Sequence, residues 1–128
     1  MNDWLQLLAR LLIAQIFLGA GVVKLLNTNE ITQQIATRVS GPLVSLFLIG
    51  AIAVELLGGL ALLLGFRANW AAALLALYTL VATLLYHTNF SQSFQADLFS
   101  KDIAIVGGLL LIVAFGAGRM SLDTLLAR

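Results

Sequence analysis

Residues 43–65 have the sequence LVSLFLIGAIAVELLGGLALLLG, an apolar run with a single carboxylate, Glu55, and otherwise nothing more polar than Ser45. About 20 apolar residues in a helix cross the hydrocarbon of a bilayer, so this run is long enough to span a membrane. A carboxylate at that depth is costly, and such groups usually face the protein interior, find a partner and belong to functional sites. Glu55 is therefore the first candidate for a functional residue.

The composition extends the same conclusion to the whole chain. Of the 128 residues, 61% are hydrophobic and only 10% are charged, whereas about a quarter of a soluble domain is charged. We predict an all-α, polytopic membrane protein, folded as one domain over residues 1–128 into a four-transmembrane-helix bundle. The predicted spans cover residues 4–26, 43–65, 70–86 and 103–118. The last is short, so we expect it to extend into 122–126 or to lie slightly buried.

The connections between the spans carry the polar residues. Isoleucine or valine recurs every fourth residue at Ile31, Ile35 and Val39, which predicts a short interfacial helix within 27–42. Ser100 or Asp102 is expected to cap the fourth span. Four spans place both termini on one side. Four cations there (Arg10, Arg67, Arg119, Arg128) against three opposite (Lys24, Arg38, Lys101) predict cytoplasmic termini in a bacterial inner membrane.

Each span has one stripe, at helical spacing, in which small residues accompany its few polar groups. Small residues allow membrane helices to approach closely, so we predict that all four stripes face the bundle interior. The stripes are Arg10, Ala14, Phe17, Gly21 and Lys24; Ala51, Glu55, Gly58, Gly59 and Leu62; Ala72, Ala76, Thr79, Thr83 and His87; and Lys101, Ala104, Gly108, Leu111 and Phe115.

Depth in the membrane suggests which polar residues meet. Glu55 should lie near the midplane, and we predict that Arg10 pairs with it directly or through water. Four residues should form a polar mouth above Glu55 on the side opposite the termini: Lys24, His87, Lys101 and Asp102. Tyr78 lies deeper and is expected to line a cavity. Two interpretations of Glu55 stay open: an ion pair that fixes helix register, or part of a polar cavity for a small ligand or proton.

The sequence also excludes several kinds of site. Cysteine is absent and histidine occurs once, so thiolate metal sites, cysteine-ligated iron–sulfur clusters and bis-histidine haem within one chain are excluded. We find no metal, flavin or nicotinamide motif, and no basic patch for nucleic acid. A redox role would require a lipid-soluble quinone or a partner protein as the electron carrier.

Several motifs together resemble the DoxX family of small four-helix membrane proteins. They are Arg10 with IFLGAGVVKL (16–25), VELLGGLALLLGFR (54–67), YHTNF (86–90), KDIAIVGGLLLI (101–112) and GRMSLD (118–123), in family order over almost the whole chain. The resemblance implies that the recurring polar positions are Arg10, Lys24, Glu55, His87, Lys101 and Asp102, with Ser121 and Asp123 in the tail. Family members often have Asn at the position of Asp102. Because Asp carries a negative charge, we expect Lys101 and Asp102 to neutralise each other in this chain.

The resemblance implies a function in membrane redox chemistry, since the family takes its name from a subunit of a thiosulfate:quinone oxidoreductase. We expect a quinone-interacting subunit that is not a complete enzyme alone, with Glu55 and His87 handling protons as the catalytic pair. Arg10, Lys24, Tyr78, Lys101 and Asp102 are the expected ligand-binding residues. The alternative is a non-enzymatic scaffold that recruits a soluble or membrane redox partner. A small proton-coupled carrier has less support, because no internal repeat is visible. Self-assembly stays open.

Overall fold

The computed structural model describes residues 2–127, and this part of the chain is helical and has no strands. Four helices are long and apolar enough to cross a membrane, which confirms the predicted all-α, four-span class. The helices are α1 Asp3–Leu26, α2 Thr28–Ala36, α3 Leu43–Leu64, α4 Ala68–Tyr86, α5 Ser93–Phe115 and α6 Leu122–Leu126. Arg128, one of the cations counted for orientation, lies outside the described residues.

The four spanning helices form a ring in which α1 packs on α3 and α5, and α4 packs on α3 and α5. We call the membrane side with both termini the terminal side, and the opposite side, which holds residues 27–42 and 87–92, the loop side. The antiparallel pair of α4 and α5 is joined by a short loop and has the most extensive contact in the bundle. The core between the helices consists mostly of Leu, Ala and Val side chains.

The predicted interfacial helix is present as α2, on the loop side. Its Ile35 is buried, while most of its polar residues are exposed, as expected for a helix that lies along a membrane surface. The helix ends at Ala36, so Val39 falls in the following turn, where Gly41 adopts a positive φ before α3 begins.

A π-helical turn interrupts α3 at Val54–Gly58, in the segment that carries Glu55. Such turns are rare, occur inside α-helices and are frequent at functional sites. The two glycines that follow Glu55 are both buried but face different neighbours: a Cβ on Gly58 would lie 3.0 Å from Leu75 of α4, and one on Gly59 would lie 3.0 Å from Leu18 of α1. The wide turn thus lets α3 pack tightly on two helices at once.

The predicted inward faces are correct for three of the four spans. The buried residues of α1, Arg10, Ala14, Phe17 and Gly21, all belong to its predicted stripe. In α3 and α4, most members of the predicted stripes are likewise buried.

The prediction for the fourth span is wrong. Helix α5 buries Val106, Leu109 and Ile112, whereas Ala104, Leu111 and Phe115 of the predicted stripe are exposed. The helix is longer than expected because it begins at Ser93, so Ser100 and Asp102 lie within it and do not cap it. Nor does it run into the tail, since it ends at Phe115, before Gly116 with a φ of +79°, and 122–126 forms the separate helix α6.

The turn between α3 and α4 depends on Gly65. Its φ of +71° is left-handed, and a Cβ there would collide with Ser121 and come within 3.0 Å of the Arg10 guanidinium. The tail returns to this turn, since the Asp123 N–H donates to the Gly65 carbonyl at 2.9 Å. An L-residue at Gly65 would therefore meet both a backbone penalty and a steric one.

We expect Gly65→Ala to lower the free energy of unfolding by about 2–4 kcal/mol, from the left-handed backbone cost together with overpacking against Ser121. Thermal melting of the detergent-purified protein measures the change. Gly107→Ala is the matched control, because a Cβ on Gly107 meets nothing within 4 Å and alanine favours a helix interior by about 0.5–1 kcal/mol. Equal melting temperatures for the two variants would contradict the assigned geometry of the turn.

Candidate functional site

The Glu55 carboxylate is buried between three helices and is fully hydrogen-bonded. Lys24 of α1 donates from its Nζ to both carboxylate oxygens, at 2.8 Å to Oε1 and 3.0 Å to Oε2. The Tyr78 hydroxyl of α4 donates to Oε1 from the other side. Only 3% of Glu55 is exposed, so an ion pair and a phenol together replace the water that this carboxylate loses on burial.

Gly21 allows α1 to approach Glu55. The position of a Cβ on Gly21 lies 3.4 Å from the Glu55 Cβ and 2.6 Å from Leu56 Cδ2, so no side chain fits there without displacing Leu56. This close approach lets Lys24, one turn further along the helix, reach the carboxylate. The small residue and the cation therefore act together, at a spacing of three residues that places both on one helix face.

A cavity of about 720 Å³ adjoins the Glu55 cluster, which we define as Lys24, Glu55 and Tyr78. Its walls are mostly apolar side chains of α1, α3 and α4, and they include the aromatic rings of Phe17 and Phe47. All three members of the cluster line it, so Tyr78 is placed in the cavity as the sequence predicted. The cavity extends from this cluster toward the loop side.

A second group of polar residues lines the same cavity near its loop-side end. His87 Nε2 lies 3.9 Å from Asp102 Oδ2, and His87 Nδ1 lies 3.4 Å from Gln95 Oε1. Gln34 and Arg38, from α2 and the turn after it, complete this loop-side mouth. Of the residues predicted for the mouth, His87 and Asp102 lie there, whereas Lys24 lies deeper and binds Glu55 directly.

Lys101 does not share the mouth. It is exposed on α5 and is not among the residues that line the cavity. The predicted stripe placed it inward, but the buried face of α5 is the one that carries Val106 and Leu109. Asp102, the next residue, points toward His87, so the predicted neutralising pair of Lys101 with Asp102 is replaced by an aspartate–histidine contact.

The predicted pairing of Arg10 with Glu55 is wrong, because Arg10 binds the tail of the chain on the terminal side. Its guanidinium donates to the carbonyl oxygens of Ala117 at 2.5 Å, Met120 at 2.8 Å and Leu63 at 3.3 Å. Only 2% of Arg10 is exposed. Helical side chains tilt toward the helix N-terminus, which for α1 points Arg10 away from the midplane and Lys24 back toward it.

The tail motif GRMSLD also stabilises the terminal side of the bundle. Asp123 accepts from the backbone N–H groups of Arg67 at 2.5 Å and Ala68 at 2.9 Å, and thereby caps the start of α4. Ser121 caps α6 by accepting from the Thr124 N–H at 3.2 Å. The sequence pointed to these residues only through the family motif. A side chain that caps a helix distant in sequence gives no local pattern from which the cap could be predicted.

Arg10 and the tail form one polar cluster on the terminal side. The Glu55 cluster, with its cavity, is a second one that lies deeper in the bundle. Thr79 lines the cavity, but its hydroxyl is occupied, since it donates to the Leu75 carbonyl of its own helix at 2.7 Å. In the part of the chain that the structure describes, no group of three His, Cys, Asp or Glu side chains is placed to hold a metal ion.

The DoxX family model matches residues 5–88, about two thirds of the chain. The chain belongs to the DoxX family. The match includes α1 to α4 and therefore all of the Glu55 cluster, together with Arg10 and His87. The resemblance inferred from the motifs is confirmed.

Two relatives of this DoxX protein, both from Escherichia coli (strain K12), match nearly its whole length. The inner membrane protein YqjF is 37% identical over 120 residues, which cover 94% of this chain and 90% of the relative. The inner membrane protein YphA is 29% identical over 124 residues, which cover 93% and 88%. These names confirm the predicted inner-membrane location. No solved structure matches the chain.

We expect Lys24→Met to lower the free energy of unfolding by about 3–5 kcal/mol, because it leaves a carboxylate buried without its cation. Glu55→Gln should cost less, since the amide still accepts from Lys24 and Tyr78. The Lys24 side chain is also 21% exposed and can extend toward the loop-side surface. Melting of the two single variants and of the double variant measures the coupling between the pair.

The double variant should be more stable than Lys24→Met alone, because both charges have been removed together. Strictly additive losses would show that Lys24 and Glu55 do not interact in the folded protein.

Arg10→Lys should also destabilise the fold, because one ammonium group cannot reproduce the planar set of donors that reaches three carbonyl oxygens. A loss of about 2 kcal/mol or more is expected from unsatisfied buried carbonyls. Limited proteolysis should show earlier cleavage after α5 than in wild type. A wild-type cleavage pattern would contradict the role of Arg10 in holding the tail.

Proposed function

We propose that this DoxX protein binds a lipid-soluble quinone in the 720 Å³ cavity, as the membrane subunit of a redox system. One observation carries the proposal: an apolar cavity within the membrane ends at a buried carboxylate that is flanked by a phenol and an ammonium group. Intramembrane ionisable groups beside a cavity are typical of substrate and proton pathways.

The cavity suits the head group of a quinone in size and chemistry. Its volume lies within the range of about 300–1,000 Å³ that is usual for small-molecule sites, and such sites combine apolar walls with few polar groups. A quinone has two carbonyl oxygens that accept hydrogen bonds. Lys24, whose ammonium group has three N–H donors, and His87 line the cavity wall and can donate to these oxygens. The rings of Phe17 and Phe47 provide aromatic surface for packing.

A bound quinone would supply two-electron chemistry coupled to the uptake of two protons. The chain would supply the proton sites. The Tyr78 hydroxyl donates to Glu55 Oε1 and orients this carboxylate, the proposed proton site, on the cavity wall. Lys24 balances the negative charge of the carboxylate there. His87, with Asp102 at 3.9 Å, lies at the loop-side mouth, where it can exchange protons with the aqueous surface.

Electrons would come from a partner protein. With no cysteine and one histidine, the chain cannot ligate an iron–sulfur cluster through cysteine or a haem through two of its own histidines. We therefore propose a subunit that works with a soluble or membrane-bound electron donor and is not a complete enzyme by itself.

A second candidate function is a membrane scaffold, and the saturation of Glu55 favours it. Both carboxylate oxygens already have donors, as expected for a structural ion pair that fixes helix register. In this case the polar surface of residues 27–42 would recruit the redox partner. Substitutions there, for example at exposed Glu30, would impair the assembled system more than Glu55→Gln would.

The two functions differ in their response to quinones. If the cavity binds a quinone, decylubiquinone and a short-chain menaquinone analogue should raise the melting temperature of the detergent-purified protein saturably. Glu55→Gln should remain folded and lose most of this shift, because Lys24 loses the negative charge that holds its ammonium group at the cavity wall.

Asp123→Asn is the matched control, since it makes the same carboxylate-to-amide change where the tail binds the start of α4, away from the cavity. It should melt lower than wild type and keep the full quinone shift. Decanol controls for partitioning of the tail into the micelle. An absence of any quinone shift in wild type would contradict the proposal and favour the scaffold.

A further inference from the structure

We infer that the cavity opens sideways into the bilayer, between the first half of α3 and the last turns of α4, and that the hydrocarbon tail of its ligand leaves through this opening. The ligand would then enter from the membrane leaflet on the loop side. The inference rests on the proposed function for the chemistry of the head group, and it adds the route and the class of ligand: a polar ring with a flexible hydrocarbon tail.

The two halves of α3 have different neighbours. Residues 43–53 pack mainly on α1 and α2, whereas the π turn and the residues after it pack on α1 and α4. Helices α3 and α4 are therefore in contact near the midplane and the terminal side, and they separate toward the loop side. The cavity lies where they separate, with Glu55 near the point at which they meet.

Several residues that line the cavity have a large accessible surface. Leu46 is 65% exposed and Val81 is 45% exposed, although both lie within membrane spans. One helical turn after Leu46, a Cβ on Gly50, which also lines the cavity, would meet nothing within 4 Å. Because these positions lie within spans, the medium outside them is lipid hydrocarbon, and the cavity is continuous with it.

The depth of these residues places the opening in one leaflet. Gly50 lies seven residues from the start of α3 and Val81 five residues from the end of α4, or ~10 Å and ~8 Å along the helices at 1.5 Å per residue. Glu55 lies ~18 Å along α3 by the same measure. A leaflet contributes ~15 Å of hydrocarbon, so the opening lies in the loop-side leaflet and Glu55 near the midplane.

The loop-side mouth is chemically unlike this opening. Gln34, Arg38, His87 and Gln95 line it, and a hydrocarbon chain that crossed there would separate these polar groups from water. The mouth suits water and protons, whereas the lateral opening suits an apolar chain. A molecule that combines a hydrogen-bonding ring with a long tail fits both, with its ring at the Glu55 cluster and its tail in the bilayer.

The experiment fills the lateral opening and leaves the Glu55 cluster intact. Gly50→Trp places an indole where the Cβ position is free of neighbours. Binding of decylubiquinone and of its tail-less counterpart, which carries the same ring, is measured by thermal shift in wild type and in the variant. We expect Gly50→Trp to weaken binding of the decyl form by about tenfold or more, because the overpacked opening excludes the tail. The tail-less form should bind as in wild type.

Two controls keep the test specific. Gly107→Trp introduces the same side chain at another glycine with free surroundings, on α5, and should not affect either ligand. Val81→Trp obstructs the opening from α4 and should reproduce the selective loss, which also covers the case that Gly50→Trp fails to fold.

Equal binding of the decyl form by wild type and both blocking variants would overturn the lateral route. Equal loss of both ligands would also overturn it, by placing Gly50 at the head group. If wild type binds neither ligand, the proposed function itself fails and this inference falls with it.

Discussion

The bundle is organised around the cost of holding the Glu55 carboxylate within a membrane span. Hydrocarbon offers no water to such a group, so its partners must come from neighbouring helices. Lys24 comes from α1 and Tyr78 from α4, on opposite sides of the π turn that carries Glu55 in α3. One carboxylate thereby joins three of the four spans, and the small residue Gly21 and the glycine pair after Glu55 allow the approach that these bonds require.

The protein separates its two intramembrane cations by depth and by partner. Arg10 is sealed on the terminal side among backbone carbonyls, where a planar guanidinium can serve several acceptors at once. Lys24 faces the cavity, remains partly exposed and binds a titratable partner. The terminal side is therefore tied together by the tail, while on the loop side α3 and α4 separate and leave the cavity between them.

The sequence predicted the fold and five polar residues of the cavity, because the spans are long apolar runs whose polar residues coincide with small ones. The predictions from sequence were wrong where contacts depended on the direction in which a side chain points and not only on its depth in the membrane. Arg10 and Lys24 lie on one stripe of α1, yet both side chains tilt toward the helix N-terminus, so only Lys24 reaches the midplane. On α5, the predicted inward face was wrong because it was chosen to include Lys101. A lysine near a membrane surface can extend to water from a lipid-facing position and does not need to face the interior. The π turn has no sequence signal, because it depends on how α3 packs between two neighbours.

The polar contacts of Arg10 and those of the Glu55 cluster differ in a way that bears on function. A purely structural polar group in a membrane is best sealed, as Arg10 is, because any access of water or ligand would compete with its bonds. The Glu55 cluster is different, since all three of its residues line a cavity of about 720 Å³ that extends to a polar mouth. Such a cavity weakens packing at the place where the bundle carries its most costly charge. A cavity retained beside a buried ion pair therefore supports the proposal that a ligand occupies it, since a closed contact between α3 and α4 would fix helix register more firmly.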